Sequence, residues 1–178
     1  DNVVALSDSS AATQLDGGQL PTFCTTRTRI LIAGGGAIQK WEGVGLSARL
    51  GGSPPIATHL VAVATRLVAA KYDNSGIQYW TPQGETNHET WNTSSLDTGT
   101  GFAEAEARPD KTVALHDIIS EYFVFGTETV QVFVPDPAVG FSASNFVGVG
   151  CGAPYSVIPV DEAFAFLDNR RRFVSTDG

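Results

Sequence analysis

Three histidines, His59, His88 and His116, are the residues of this chain best suited to acid–base or metal chemistry. A protein metal site usually shows at least one pair of ligands at close spacing, so that one turn or one strand face carries both. Here the histidines are far apart. His88-Glu89 and His116-Asp117 are adjacent pairs, and adjacent side chains diverge on a helix and on a strand alike. A Ser–His–Asp set can be assembled on paper from a chain rich in Ser and Asp, but no GxSxG elbow supports one. The sequence therefore assigns no catalytic residue. An enzyme with a site built from His116, Asp117 and distant residues is the third of three functional readings.

Other groups are equally open to two readings. Ile30 to Ala37 runs from an apolar strand into Gly34-Gly35-Gly36, as a dinucleotide-binding unit would begin. The third glycine position is Gln39, and Trp41 to Gly45 is too glycine-broken to start a helix, so a hairpin turn is the better reading. Trp80 and Trp91, with Tyr79 and Phe102, flank the polar 82–101 segment. Exposed rings beside Asn, Gln and Glu are how sugar-binding β-sandwiches stack on carbohydrate. Core anchoring of a long loop explains them too, and is preferred. Asp136, Asp161, Asp168 and Asn169 could supply oxygen ligands to Ca²⁺ at a subunit contact, although no loop has EF-hand spacing. No other cofactor is expected. Cys24 and Cys151 could form one long-range disulfide, or remain buried thiols. Asn92-Thr93-Ser94 is a glycosylation sequon.

The elements that must position these residues read mainly as strands. Residues 1–21 form an N-terminal arm and 22–178 a single domain. Phe23 to Ala33 suits a strand entering the core, with Ala37 to Trp41 returning as its partner. Ser53-Pro54-Pro55 resembles a capped helix start, and Ile56, Leu60, Val63, Leu67 and Ala70 recur at three-to-four spacing, so the pattern predicts a helix over 54–72. Val61, Val63 and Val68 leave strand as the competing reading. A second helix is expected over 113–123 and a short terminal one over 161–172. Thr127 to Val134 alternates cleanly and predicts a strand with Val130 and Val132 on one face and Gln131 and Phe133 on the other.

Composition excludes some functions. The chain has 178 residues, 42% of them hydrophobic, and a net charge of −8. Its mean hydropathy is zero and its pI near 4.7. It can bury a core without metal or disulfide support, and no apolar run is long enough to span a membrane as a helix. An acidic chain with 11 Lys and Arg is a poor phosphate-backbone binder. The only basic run, Arg170-Arg171-Arg172, reads as a solvated helix end, where cations suit the macrodipole, with anion or nucleic-acid contact as the alternative. The chain holds no methionine and starts at Asp1, which suggests processing or an ordered part of something longer.

The run Thr58 to Tyr72, followed by Ser75 to Pro82, resembles single jelly-roll coat proteins of small icosahedral viruses. The step from 113–123 into Thr127 to Val134 is similar to their later helix-then-strand passage. The resemblance implies a jelly-roll-like antiparallel β-sandwich with two or three inserted helices. It also implies a structural subunit of a particle, a capsid shell, surface or decoration protein, found in the virion and partnered by copies of itself or other subunits. The lack of a basic arm departs from many such coats and argues against genome contact. The rival reading is a secreted, extracellular carbohydrate-binding β-sandwich using Trp80 and Trp91.

Overall fold

The structure, a computed structural model, describes residues 19–72, 76–92, 101–104 (backbone only at 102–104) and 110–176. All its long elements are strands, in four antiparallel sheets. Sheet I holds β1 (Thr22–Thr25), β2 (Ile30–Ala33), β3 (Gln39–Trp41) and β4 (Ala48–Arg49). Sheet II holds β5 (Ala57–Val63), β6 (Arg66–Lys71), β7 (Ile77–Trp80) and β8 (Gly101–Glu104). Sheet III holds β9 (Thr112–Ile118), β10 (Glu121–Gly126), β11 (Val130–Asp136) and β12 (Gly140–Val147). Sheet IV holds β13 (Ile158–Val160), β14 (Ala163–Leu167) and β15 (Phe173–Ser175). Within each sheet, neighbours in space are neighbours in sequence. These are plain meanders, so the crossing connections of a jelly roll are not what joins them.

The three expected helices are hairpins instead. Residues 57–71 fold as β5 and β6, joined by Ala64 and Thr65, both left-handed at φ 49° and 60°. A two-residue turn with positive φ at both positions matches the right-handed twist of the flanking strands. The strand β9 pairs with β10 from Ile118↔Glu121, and Ile119 sits in the turn at φ 59°. The strand β13 pairs with β14 from Val160↔Ala163, with Asp161 in the turn at φ 53°. Valine and phenylalanine lose rotamer freedom in a helix and pack well on a pleated surface. The expected strand at 23–33 is likewise a hairpin, β1 with β2, and 37–41 returns as β3. The expected arm at 1–21 lies outside the described residues up to 18, and β1 begins at Thr22.

The sheets pack face to face in succession. Between I and II lie Cys24, Leu31, Ile38, Leu50, Leu60, Leu67 and Ala69. Between II and III lie Val61, Val63, Val68, Trp80, Leu115, Tyr122, Val124, Phe133 and Phe141. Between III and IV lie Ala114, Phe123, Phe125, Val130, Val132, Phe164 and Phe166. Strand alternation explains the partition. On β6, Leu67 and Ala69 face one neighbour while Val68 and Ala70 face the other. On β11, Val130 and Val132 part from Phe133 in the same way. Each buried Leu or Phe contributes roughly 1.5–3 kcal/mol relative to exposure, so sheets II and III, covered on both faces, are the rigid middle of the stack.

Polar clasps hold the sheet ends. The buried Asp110 carboxylate accepts hydrogen bonds from Thr127 N (2.7 Å), Glu128 N (2.8 Å) and Thr129 N (2.8 Å), and from both threonine hydroxyls. Gly126 leaves room for it, since a Cβ there would meet the carboxylate. Asp168 does the same at the β14–β15 turn, accepting from Arg170 N, Arg172 N and the Arg172 guanidinium.

Candidate functional site: the inner cleft and the open end face

The strands β1, β5 and β9 begin their sheets, and they lie side by side, β1 against β5 and β5 against β9. The Thr22 hydroxyl donates to the Thr58 carbonyl at 2.8 Å and ties the first pair. Where these strands meet the Pro154–Ser156 turn ahead of β13, a cleft of about 420 Å³ opens. Its walls include Phe23, Cys24, His59, His116, Asp117 and Tyr155.

The cleft is polar in composition, and burial disfavours the charged forms of its groups. Burial pushes His59 down to about 4, with His116 nearby adding to the effect. Burial also lowers His116, raises the Asp117 carboxyl, and pushes the Cys24 thiol up to about 12. His59 Nδ1 lies 3.0 Å from the Thr58 hydroxyl, while its buried Nε2 has no hydrogen-bond partner. The ring of His116 packs against Phe125 and Phe164 between sheets III and IV. Sequence reasoning treated each histidine alone. The topology brings His59, His116 and Asp117 to one cleft, but no three or more His, Cys, Asp or Glu converge as a metal-ligand set among the described residues.

The other sequence-selected residues are placed elsewhere. Trp80 is 1% exposed and lies in the core between II and III, its indole N–H donating to the Val139 carbonyl at 3.2 Å. Gly101 and Gly140 press on its ring, where any Cβ would clash, so it offers no face to a sugar. Trp91 is half-buried against the core between I and II, and donates to the His88 carbonyl. Both tryptophans therefore anchor structure. Cys24 and Cys151 are free thiols in two different cores and do not pair. Asn92 is half-buried, and the rest of its sequon lies outside the described residues. Asp136 caps its own turn through Ala138 N, Asp168 is tied to Arg172, and the Asn169 side chain donates to the Thr127 carbonyl.

The 82–92 segment of sheet II is stapled to sheet I. The Glu85 carboxylate accepts Arg27 N–H at 2.7 Å, and Glu89 pairs with Arg29 at 3.2 Å and Lys40 at 2.5 Å. Lys40 holds the Glu89 carboxyl below the usual carboxylate range.

One surface stands out by its lack of a partner. Sheet IV turns Phe164, Phe166 and Val174 towards sheet III. Its register places Ile158 beside Ala165, Val160 beside Ala163 and Leu167 beside Phe173 on the other face. Ile158, Val160 and Leu167 are exposed there, and Phe173 is 69% exposed. The far face of sheet I is also apolar, with Phe23 exposed and Ile30 and Trp41 half-buried. On that far face of sheet I, Ile32 and Gln39 are nonetheless buried, so the face of sheet IV is the more open of the two ends.

This succession of three four-stranded meanders and one three-stranded meander has a counterpart among known proteins. A family described as bacteriophage P22 Gp10, beta-propeller, matches residues 77–175, more than half of the chain. The chain belongs to this family. No curated protein matches it beyond that. Membership makes it a phage structural protein, and its four antiparallel sheets are in keeping with the beta-propeller that the family's description gives. The viral, structural and mainly β expectations stand on this finding, whereas the small icosahedral coat proteins are not the relatives it points to. No helix among the described residues is long and apolar enough to cross a membrane.

Proposed function

We propose that the protein is a capsid-associated structural subunit of a phage particle, and that it works by association through the open face of sheet IV. The observation that carries this reading is the open face of sheet IV, where Ile158, Val160, Leu167 and Phe173 form an apolar surface of the kind that is buried three times within the chain. Exposed apolar faces of this sort mark interaction surfaces. The partner is a second copy or another subunit of the same particle. No part of the reading requires a catalytic step, and the protein is taken as a non-enzyme. The net charge of −8 speaks against direct nucleic-acid binding as its main role.

The experiment is native mass measurement across a concentration series with electron imaging, on the wild type and on Phe173→Asp with Ile158→Asp. Oligomers that disperse to folded monomers in the double variant are expected. A wild type that stays monomeric at every concentration, and also fails to bind other particle subunits, would overturn the proposal.

A further inference from the structure

The inner cleft has features that the assembly reading does not use. Two large rings, Phe23 at 61% and Tyr155 at 54% exposure, stand on its walls, one from β1 and one from the turn ahead of β13. Exposed aromatic rings are usually scattered on a protein surface; two on one concave site form a stacking surface. The Tyr155 hydroxyl donates to the Leu20 carbonyl at 3.0 Å, which pins that ring in place across the gap between the first and last sheets. Pre-set rings lower the ordering entropy a ligand must offset.

The polar part of the wall is unusual for a surface that only packs. His59 is nine-tenths buried, and its Nε2 has no partner within the protein. An unsatisfied buried polar atom costs about 1–3 kcal/mol unless something bonds to it. Thr25 and Asp117 add a hydroxyl and a carboxyl at the cleft. The volume of about 420 Å³ suits a ring-sized molecule rather than a polymer segment lying flat.

We infer that the cleft is a binding site for an uncharged, hydroxyl-bearing ring of the sugar class, stacked on Phe23 and Tyr155 and hydrogen-bonded to His59, Thr25 and Asp117. Stacking would be on the apolar face of the sugar, and the imidazole and hydroxyl would meet its edge. The neutral imidazoles disfavour a charged ligand, since no fixed cation in the walls would compensate an anion. The inference is tested apart from the assembly reading, because none of Ile158, Val160, Leu167 and Phe173 on the open face of sheet IV lines the cleft.

The test is titration of the whole chain, ¹⁵N-labelled, with the methyl glycosides of glucose, galactose, mannose and N-acetylglucosamine. Expected is saturable binding of at least one glycoside, with shifts in the His59 ring resonances and in the amides of 22–25 and 154–157. Phe23→Ala and Tyr155→Ala should each weaken it at least tenfold. Both residues are exposed, so an unchanged thermal transition verifies that the variants fold. His59→Phe, which removes the orphan nitrogen but keeps a ring, should also weaken binding. No shift with any of the four glycosides up to tens of millimolar would overturn the inference. So would binding that survives the Phe23 and Tyr155 substitutions, because the site would then lie elsewhere.

Discussion

The ring of Tyr122 stacks on that of Phe133, with centroids 4.8 Å apart and planes within 4°. Phe141 meets the same tyrosine edge-on at 4.9 Å. This trio joins β10, β11 and β12 and fills the core between sheets II and III. The Tyr122 hydroxyl is buried without a hydrogen-bond partner, and burial drives its ionisation well above the ordinary range. Removing an unsatisfied buried hydroxyl while keeping the ring relieves a desolvation penalty. Tyr122→Phe should therefore leave the stack intact and raise stability by about 1 kcal/mol in urea unfolding. A loss of stability would mean that the hydroxyl has a partner after all.

Asp110 is the opposite case, a buried carboxylate with more partners than it needs. Burial alone would raise its pKa, but hydrogen bonds from Thr127, Glu128 and Thr129 outweigh burial and hold it below the usual range. The clasp sits at the irregularity between Phe125 and Gly126, where β9 and β10 shift register. Asp110→Ala leaves three backbone N–H groups without their acceptor. The expected loss is about 2–4 kcal/mol by thermal or chemical unfolding. Asp110→Asn should lose less, since one amide oxygen still accepts. Equal effects of the two substitutions would argue that the carboxylate charge is what matters.

The staple between sheets I and II depends on Gly52. Its φ is +76°, and a Cβ there would lie 1.4 Å from the Glu89 carbonyl oxygen. Neither the backbone angle nor the space admits a side chain. Gly52→Ala should push the 82–92 segment off sheet I and break the Glu89 pairs with Arg29 and Lys40. Faster amide exchange over 85–92 is the readout, with a stability loss of roughly 2 kcal/mol or more. Protection unchanged from wild type would show that the segment does not rest on Gly51 and Gly52.

How much of this was legible depends on how far the two faces of a strand differ in residue type. The strand at 130–136, although covered on both faces, was readable because valines on one face alternate with Gln131 and Phe133 on the other. The β5–β6 hairpin was not, because both its faces carry aliphatic residues. Its residues form a near-continuous apolar run whose spacing also satisfies a helix. The turns gave no help. Ala64-Thr65, Ile119 and Asp161 adopt positive φ without glycine, so the residues that usually flag a hairpin are missing. Four hairpins opening four sheets amount to an internal repeat, with first strands starting at Thr22, Ala57, Thr112 and Ile158. Uneven loops between them hide the period. The cleft was harder still, because Phe23, His59, His116 and Tyr155 share only the inner edge that the repeat creates. The preferred reading of the tryptophans, as core anchors, agrees with the structure, where Gly101 and Gly140 enclose the Trp80 ring.

The inner cleft also sets a pH dependence. His59 ionises near 4 in the folded protein against 6.5 for a free imidazole, and His88 and His116 are lowered as well. In the window from 6.5 down to about 4, the unfolded chain takes up protons that the folded chain refuses. Stability must then fall with pH across that window, by on the order of 3 kcal/mol for His59 alone. Asp117, raised by burial, works the other way, gaining relative to the unfolded chain as pH falls towards the carboxylate range. Asp110, held low, loses its contribution only below 3.8. Three lowered histidines act together against the one raised carboxyl, so the net trend is a fall. Urea midpoints measured from pH 7.5 to 4.5 should fall steadily for the wild type and more shallowly for His59→Gln, which cannot be protonated. A variant that follows the wild-type curve would place the acid sensitivity outside the cleft.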